Sequence, residues 1–154
     1  MQKLAPLNLH LKGVVAEALA AAQAGGKSPE GSRVRSHALS ILKHAAEWYY
    51  LTLKIGALAS KDRDVVGSAA VDYLMFAGYV TLAEHWLKAE VAADAALASG
   101  AANEDPAFYK AKIATANFVF EKLLPRTRAH AATMTLPSSV TGSLPQDQFS
   151  FDLV

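Results

Sequence analysis

Alanine fills 31 of the 154 positions, and this narrows the fold more than any single motif. Alanine loses no side-chain entropy in a helix, and its methyl group lets two helices approach closely. A chain so rich in it is best satisfied by helices packed on helices. Apolar residues make up 52% of the sequence and charged residues 19%, the balance of a chain that buries a core. A chain of this length suits one core. The expected class is all-α.

Breakers divide the sequence into four periodic stretches. The first runs from about Leu7 to Ala24, with Leu7, Leu11, Val14, Ala18 and Ala22 on one stripe, and the Gly/Ser/Pro-rich run 25–32 ends it. The second covers about Val34 to Ser60, with Leu42, Ala45, Tyr49 and Leu53 as its inner stripe. Asp62 or Asp64 then caps the third, about Val65 to Ser99. From Val65 to Ala83 that third stretch is apolar almost all round. This pattern predicts a helix buried on several sides, with Val66, Tyr73, Ala77 and Val80 on its core stripe and Gly78 at a close helix contact. Asp105 and Pro106 open the fourth stretch as cap and first-turn proline, and Pro125 is expected to kink or restart it. Short connections favour an antiparallel up-down-up-down four-helix bundle over residues 1–136, with 137–154 a loop and tail that docks on it.

Several function classes have no support in the residues. A net charge of +1 provides no basic footprint for nucleic acid. The absence of cysteine excludes disulfides, thiolate chemistry and cysteine-bound zinc, and it fits a cytoplasmic location. The first ten residues are too polar for a secretory core. The longest charge-free run, Tyr73 to Ala83, falls short of the roughly 20 apolar residues of a spanning helix, so no membrane span is expected.

Chemistry-bearing constellations are sparse. His44 and Glu47 share a face of the second helix, but the order is the reverse of the Glu-x-x-His pairs of di-iron bundles, so no metal site is expected. Glu84 and His85 interrupt the apolar third helix. A buried carboxylate there needs a partner, and His85, His44 or a lysine could serve; Glu84 and Lys88 also form a favourable i,i+4 pair. Lys122, Arg126, Arg128 and His130 make the end of the fourth helix basic, which suits either phosphate groups or, the favoured reading, the negative end of the helix dipole. There is no glycine-rich phosphate loop, nucleophile elbow or dinucleotide fingerprint.

Three stretches resemble the C-terminal extension of the acyl-CoA dehydrogenases, in the branch that includes the 3-methylmercaptopropionyl-CoA dehydrogenases. Ala69 to Ala83, opening on Asp72-Tyr73-Leu74 with Gly78 a turn on, is similar to the buried third helix of that extension. Phe108 to Met134, with Phe108-Tyr109-x-x-Lys112, the aromatic cluster and Leu123-Leu124-Pro125-Arg126, resembles its last helix. Asp147-Gln148-Phe149-Ser150-Phe151 is similar to an aromatic closing tail. Glu84-His85 and Val119 depart from the pattern.

The resemblance implies an accessory helical domain. In that family a larger core carries FAD, the acyl-CoA pocket and the glutamate base, and no residue here matches that base. No catalytic, cofactor-binding or metal-binding residue is therefore assigned to this chain, and FAD belongs to the presumed parent enzyme. The expected partners are an acyl-CoA dehydrogenase core, on the same or a separate chain, or a second copy in a homodimer. The competing reading is a stand-alone helical interaction module. Tyr50, on an otherwise polar face, and Phe118, off the main stripe, are the candidate interface residues.

Overall fold

A computed structural model describes residues 4–24, 29–100, 105–145 and 148. The described residues are helical and contain no strand, as the alanine content and helical periodicity require. Among the described residues six α-helices follow one another: α1 (Ala5–Ala24), α2 (Pro29–Ala59), α3 (Asp64–Ser99), α4 (Pro106–Phe118), α5 (Thr127–Thr133) and α6 (Ser139–Gly142).

The helix ends follow local chemistry. Asp62 Oδ1 accepts the Asp64 N–H at 3.0 Å and starts α3, while Gly100, at φ 63°, ends it in the left-handed conformation. Asp105 accepts the Ala107 N–H at 2.8 Å, with Pro106 in the first turn of α4. Two boundaries differ from expectation. The α2 helix begins at Pro29, so the breaker-rich run yields four residues to the helix, proline being compatible with a first turn. A short helix, α6, also stands where a loop was expected.

Pro125 disturbs the fourth helix as its chemistry demands. Lacking an N–H, it cannot bond the Glu121 carbonyl. The backbone between α4 and α5 widens into a π turn (Val119–Leu123), in which the Leu124 N–H reaches the Val119 carbonyl, and then tightens into a 3-10 turn (Leu124–Arg126). The Thr127 hydroxyl donates to the Leu124 carbonyl at 2.6 Å. Nε2 of His44 lies 3.2 Å from that hydroxyl oxygen, and its Nδ1 donates to the Ser40 carbonyl.

Helices α2 and α3 form the central antiparallel pair, joined near one end by Trp48 to Tyr73 and near the other by His37 to Glu90. The α1 helix lies along one side of this pair, with His10 against Trp48 and Glu17 bonded to Lys88. Helices α4 and α5 lie along the other, with Phe120 on His37 and His130 on Asp72. Leu11, Val14, Ile41, Phe76, Val80 and Leu124 are central to a single shared core.

Two expected stripes are displaced. On α2 the buried residues are Val34, His37, Ala38, Ile41, Ala45, Trp48 and Leu51; of the expected stripe Ala45 is buried, Leu42 is half-buried, and Tyr49 and Leu53 are exposed. Apolar residues occupy adjacent stripes of this helix, and Trp48 with Ile41 takes the inner one. On α3, Val80 is buried and Tyr73 and Ala77 are half-buried, but Val66 is exposed. Gly78 makes no close helix contact: a methyl group added there would meet no atom within 4 Å. This helix is therefore apolar on a face that the bundle leaves open. By length and composition alone α3 could cross a membrane. Its inner stripe nonetheless packs in the bundle core and buries Glu84 and Glu90, as suits the central helix of a bundle.

Candidate functional site: an open apolar face of α3

The outer face of α3 carries Gly67, Val71, Leu74, Gly78 and Leu82 at helical spacing, with Met75 beside them, and every one is exposed. Val71 and Leu74 are 72% and 70% accessible, and no charged residue interrupts the stripe. Gly67 and Gly78 stand three turns apart, and each faces open space. A helix that offers glycine and branched apolar residues to the outside presents a surface on which another helix can lie closely.

Beside this face lies a groove of about 500 Å³, formed by Thr52, Ile55 and Gly56 of α2 and by α3 from Val66 to Ala77. It continues the furrow that α1 fills further along. At its inner end the Trp48 indole N–H donates to the Tyr73 hydroxyl at 2.9 Å. The Tyr73 hydroxyl in turn donates to Thr52 Oγ1 at 2.9 Å, and Thr52 donates to the Trp48 carbonyl at 2.8 Å. This relay satisfies each polar group where the packed core gives way to the groove. A second groove, about 430 Å³, separates α1 from α3 over Ile41, with alanine, valine and leucine walls and Glu84 and Lys88 at its edge.

The polar clusters serve the bundle. Glu90 is fully buried. Arg33 Nε donates to its Oε1 at 2.5 Å, His37 Nδ1 donates to its Oε2 at 2.7 Å, and Arg33 Nη2 donates to both oxygens of Asp94. Burial works against the charge of the Arg33 guanidinium, but the bonds to Glu90 and Asp94 outweigh it and hold its pKa above the usual value. The bond from His130 Nδ1 at 2.8 Å, followed by that of the Thr133 hydroxyl, holds the Asp72 carboxyl below its usual range.

The residues singled out by sequence fall as follows. Glu84 is buried and takes Lys88 as its partner at 2.9 Å, and His85 is exposed. Bonds to Glu17 and then Glu84 raise the Lys88 ammonium above its usual range. His44 and Glu47 border a cleft with Lys43, Phe120 and Arg128. Among the described residues, no three His, Asp or Glu side chains converge as metal ligands. Lys122, Arg126 and Arg128 are exposed, whereas His130 is turned onto Asp72. Tyr50 and Phe118 are both exposed, at 60% and 53%, but they are not neighbours. Phe120 is level with His37 and Thr127 with His44, so Tyr50 is level with residue 133, about 22 Å along the bundle from Phe118.

Sequence reasoning missed the Arg33–His37–Glu90–Asp94 cluster. A signal was present, since Ala69, Phe76, Ala83 and Glu90 recur every seven residues on one buried stripe.

This is a helical bundle held by internal ion pairs, with its least satisfied surface on the outside of its central helix. The chain belongs to the acyl-CoA dehydrogenase C-terminal-like family: the family model described as acetyl-CoA dehydrogenase C-terminal like matches residues 11–144. No curated protein and no solved structure matches the chain. The walls of both grooves are mostly apolar, with Glu17, Glu84 and Lys88 bordering one and Thr52 and Tyr73 the other.

Proposed function

We propose that the chain is the accessory C-terminal domain of an acyl-CoA dehydrogenase and serves packing and assembly rather than chemistry. The observation that carries this reading is the charge-free exposed stripe of α3 from Gly67 to Leu82. Its natural occupant is the dehydrogenase core of the same family, which carries the FAD, the acyl-CoA pocket and the proton-abstracting base. The Phe108–Met134 resemblance supports placing that parent in the 3-methylmercaptopropionyl-CoA dehydrogenase-like branch, acting on acyl-CoA in the cytoplasm. On this reading the isolated chain has no dehydrogenase activity.

The test is co-purification of the tagged chain with a flavin-loaded acyl-CoA dehydrogenase core from the same organism. A stoichiometric complex is expected, and Val71→Asp with Leu74→Asp should abolish it while leaving the helical circular dichroism unchanged. Failure of the wild-type chain to bind any such core, together with a monomeric state in light scattering, removes the reading.

A further inference from the structure

Among the described residues, Glu84 has the only buried side-chain polar atom that lacks a hydrogen-bond partner. Its side chain is 8% exposed, and Oε1 takes the Lys88 ammonium at 2.9 Å. The other oxygen, Oε2, is the unbonded atom. His10 Nε2 on α1 stops 3.9 Å short of it, too far for a hydrogen bond. A carboxylate oxygen held out of water without a donor is costly, so this one is set to accept a donor from outside the bundle.

Glu84 also lines the groove of about 430 Å³ between α1 and α3, with Val14 and Ala21 of α1, Leu87 and Val91 of α3, and Ile41 beneath. His10 lies beside Glu84 and Glu17 beside Lys88, so the two helices run parallel and Glu84 stands at the Val14 end. From there the groove follows α1 to Ala24, about 15 Å of helix. That volume over that length makes a channel about 6 Å across, where a helix with its side chains needs about 10–12 Å. It suits one extended aliphatic chain, and the short stem of a lysine side chain would fill only one end. No residue of the exposed α3 stripe lines this groove. Residues 146, 147 and 149–154, among them the aromatic tail expected to dock on the bundle, lie outside the described residues and form no part of this site.

The charges along the groove are unequal. Glu17 and Glu84 share one cation, Lys88, whose ammonium lies 2.6 Å from Glu17 Oε2. On another side of α3, Arg33 and His37 are engaged by Glu90 and Asp94. Lys12 and His85 are exposed and line no part of the groove. A second cation at Oε2 would balance the two carboxylates, and a primary ammonium brings the missing N–H donor with it.

We propose that this groove binds a long-chain primary amine in its ammonium form. The ammonium donates to Glu84 Oε2, and the alkyl chain lies along α1 toward Ala24.

Isothermal titration of the full chain at neutral pH with dodecylamine, dodecanol and laurate, each below its micelle-forming concentration, separates charge from chain. The amine is expected to bind once per chain, roughly tenfold more tightly than the alcohol, as suits one charge-assisted hydrogen bond, and laurate is expected not to bind. Glu84→Gln should bring amine and alcohol to equal affinity while keeping the helical circular dichroism. Lys88→Gln, at an exposed position, removes the competing cation and should tighten the amine roughly threefold without changing the alcohol. This second variant carries the test by itself if Glu84→Gln fails to fold. Ala95→Phe, at an exposed point of the groove wall, should weaken amine and alcohol alike. Equal affinity of the wild type for amine and alcohol overturns the proposal, as does a folded Glu84→Gln or a Lys88→Gln with unaltered amine affinity. Amine binding that survives Ala95→Phe, or that climbs past one molecule per chain without saturating, is surfactant adsorption and overturns it too. If the amine does not bind but Glu84→Gln weakens a complex with a dehydrogenase core, a basic side chain of that partner is the occupant. The proposal then falls while the function proposed above stands.

Discussion

The imidazole of His37 is held at its edge by Glu90, with Nδ1 2.7 Å from Oε2, and on its face by Phe120, whose ring lies parallel at 4.0 Å. One side chain of α2 thus ties to both α3 and the π turn that follows α4, at the level where Arg33 closes the ion pair from the other side of Glu90.

Glu90 is the element of this cluster that cannot be removed. Glu90→Ala strands Arg33 and His37 without their shared acceptor and should cost about 3 kcal/mol, the range for breaking a buried pair by deleting one partner. Asp94→Asn, at a carboxylate that keeps 20% side-chain exposure, should cost about 1 kcal/mol or less. Urea unfolding of both variants checks the ranking. Equal losses would mean that the bond between Arg33 and Asp94 carries the cluster.

Gly78 supports a second expectation, the reverse of the one its sequence setting invites. A side chain added there meets open space, and glycine is about 1 kcal/mol worse than a good helix former in a helix interior. Gly78→Leu should therefore leave thermal stability unchanged or raise it slightly, while weakening association across the α3 stripe. A fall of several degrees in Tm would show a neighbour packed on Gly78 within the bundle.

What the sequence made legible follows from what each signal measures. Capping is a local chemical matter, and Asp62, Asp105 with Pro106, and the disturbance at Pro125 were all readable. Burial is a contest between stripes. On α1 the stripe of Leu11, Val14 and Ala18 is the buried one, as its spacing predicts, although Leu9 and Leu19 of the same helix are exposed. On α2 and α3 apolar residues lie on several stripes, so the periodicity could not choose. Helical spacing points Tyr49, Leu53 and Val66 inward, but they face out. Glu90 was hidden for the opposite reason: a charge among alanines reads as solvent-facing unless its seven-residue relation to Phe76 and Ala83 is counted.

Asp72 contributes a pH-dependent stability whose sign follows from its lowered pKa. A carboxyl with a folded-state pKa below its unfolded value of about 4 stabilises the fold above that value. The contribution is lost as pH falls through the folded-state pKa. Asp72→Asn should thus lower stability by up to about 1 kcal/mol at neutral pH, and the gap to wild type should begin to shrink as pH falls below the unfolded value and close as the folded carboxyl protonates. A gap that persists undiminished in acid would assign the effect to packing of α5 rather than to the carboxylate bonded by His130.

Tyr50 and Phe118 offer the last test, because their separation makes it quantitative. Both are exposed, so Tyr50→Glu and Phe118→Glu should each change folding stability by no more than about 0.5 kcal/mol. They lie about 22 Å apart along the bundle, beyond the range at which side chains share a partner group. If both touch a dehydrogenase core or a second copy, their effects on binding should add to within about 0.5 kcal/mol in the double variant. Isothermal titration against the core, or sedimentation of the chain alone, measures the four species of the cycle. If neither single variant weakens association while Val71→Asp does, the contact surface is the α3 stripe and excludes both. A strong interaction energy between the two would instead require a partner that bridges both ends of the bundle through one rigid element.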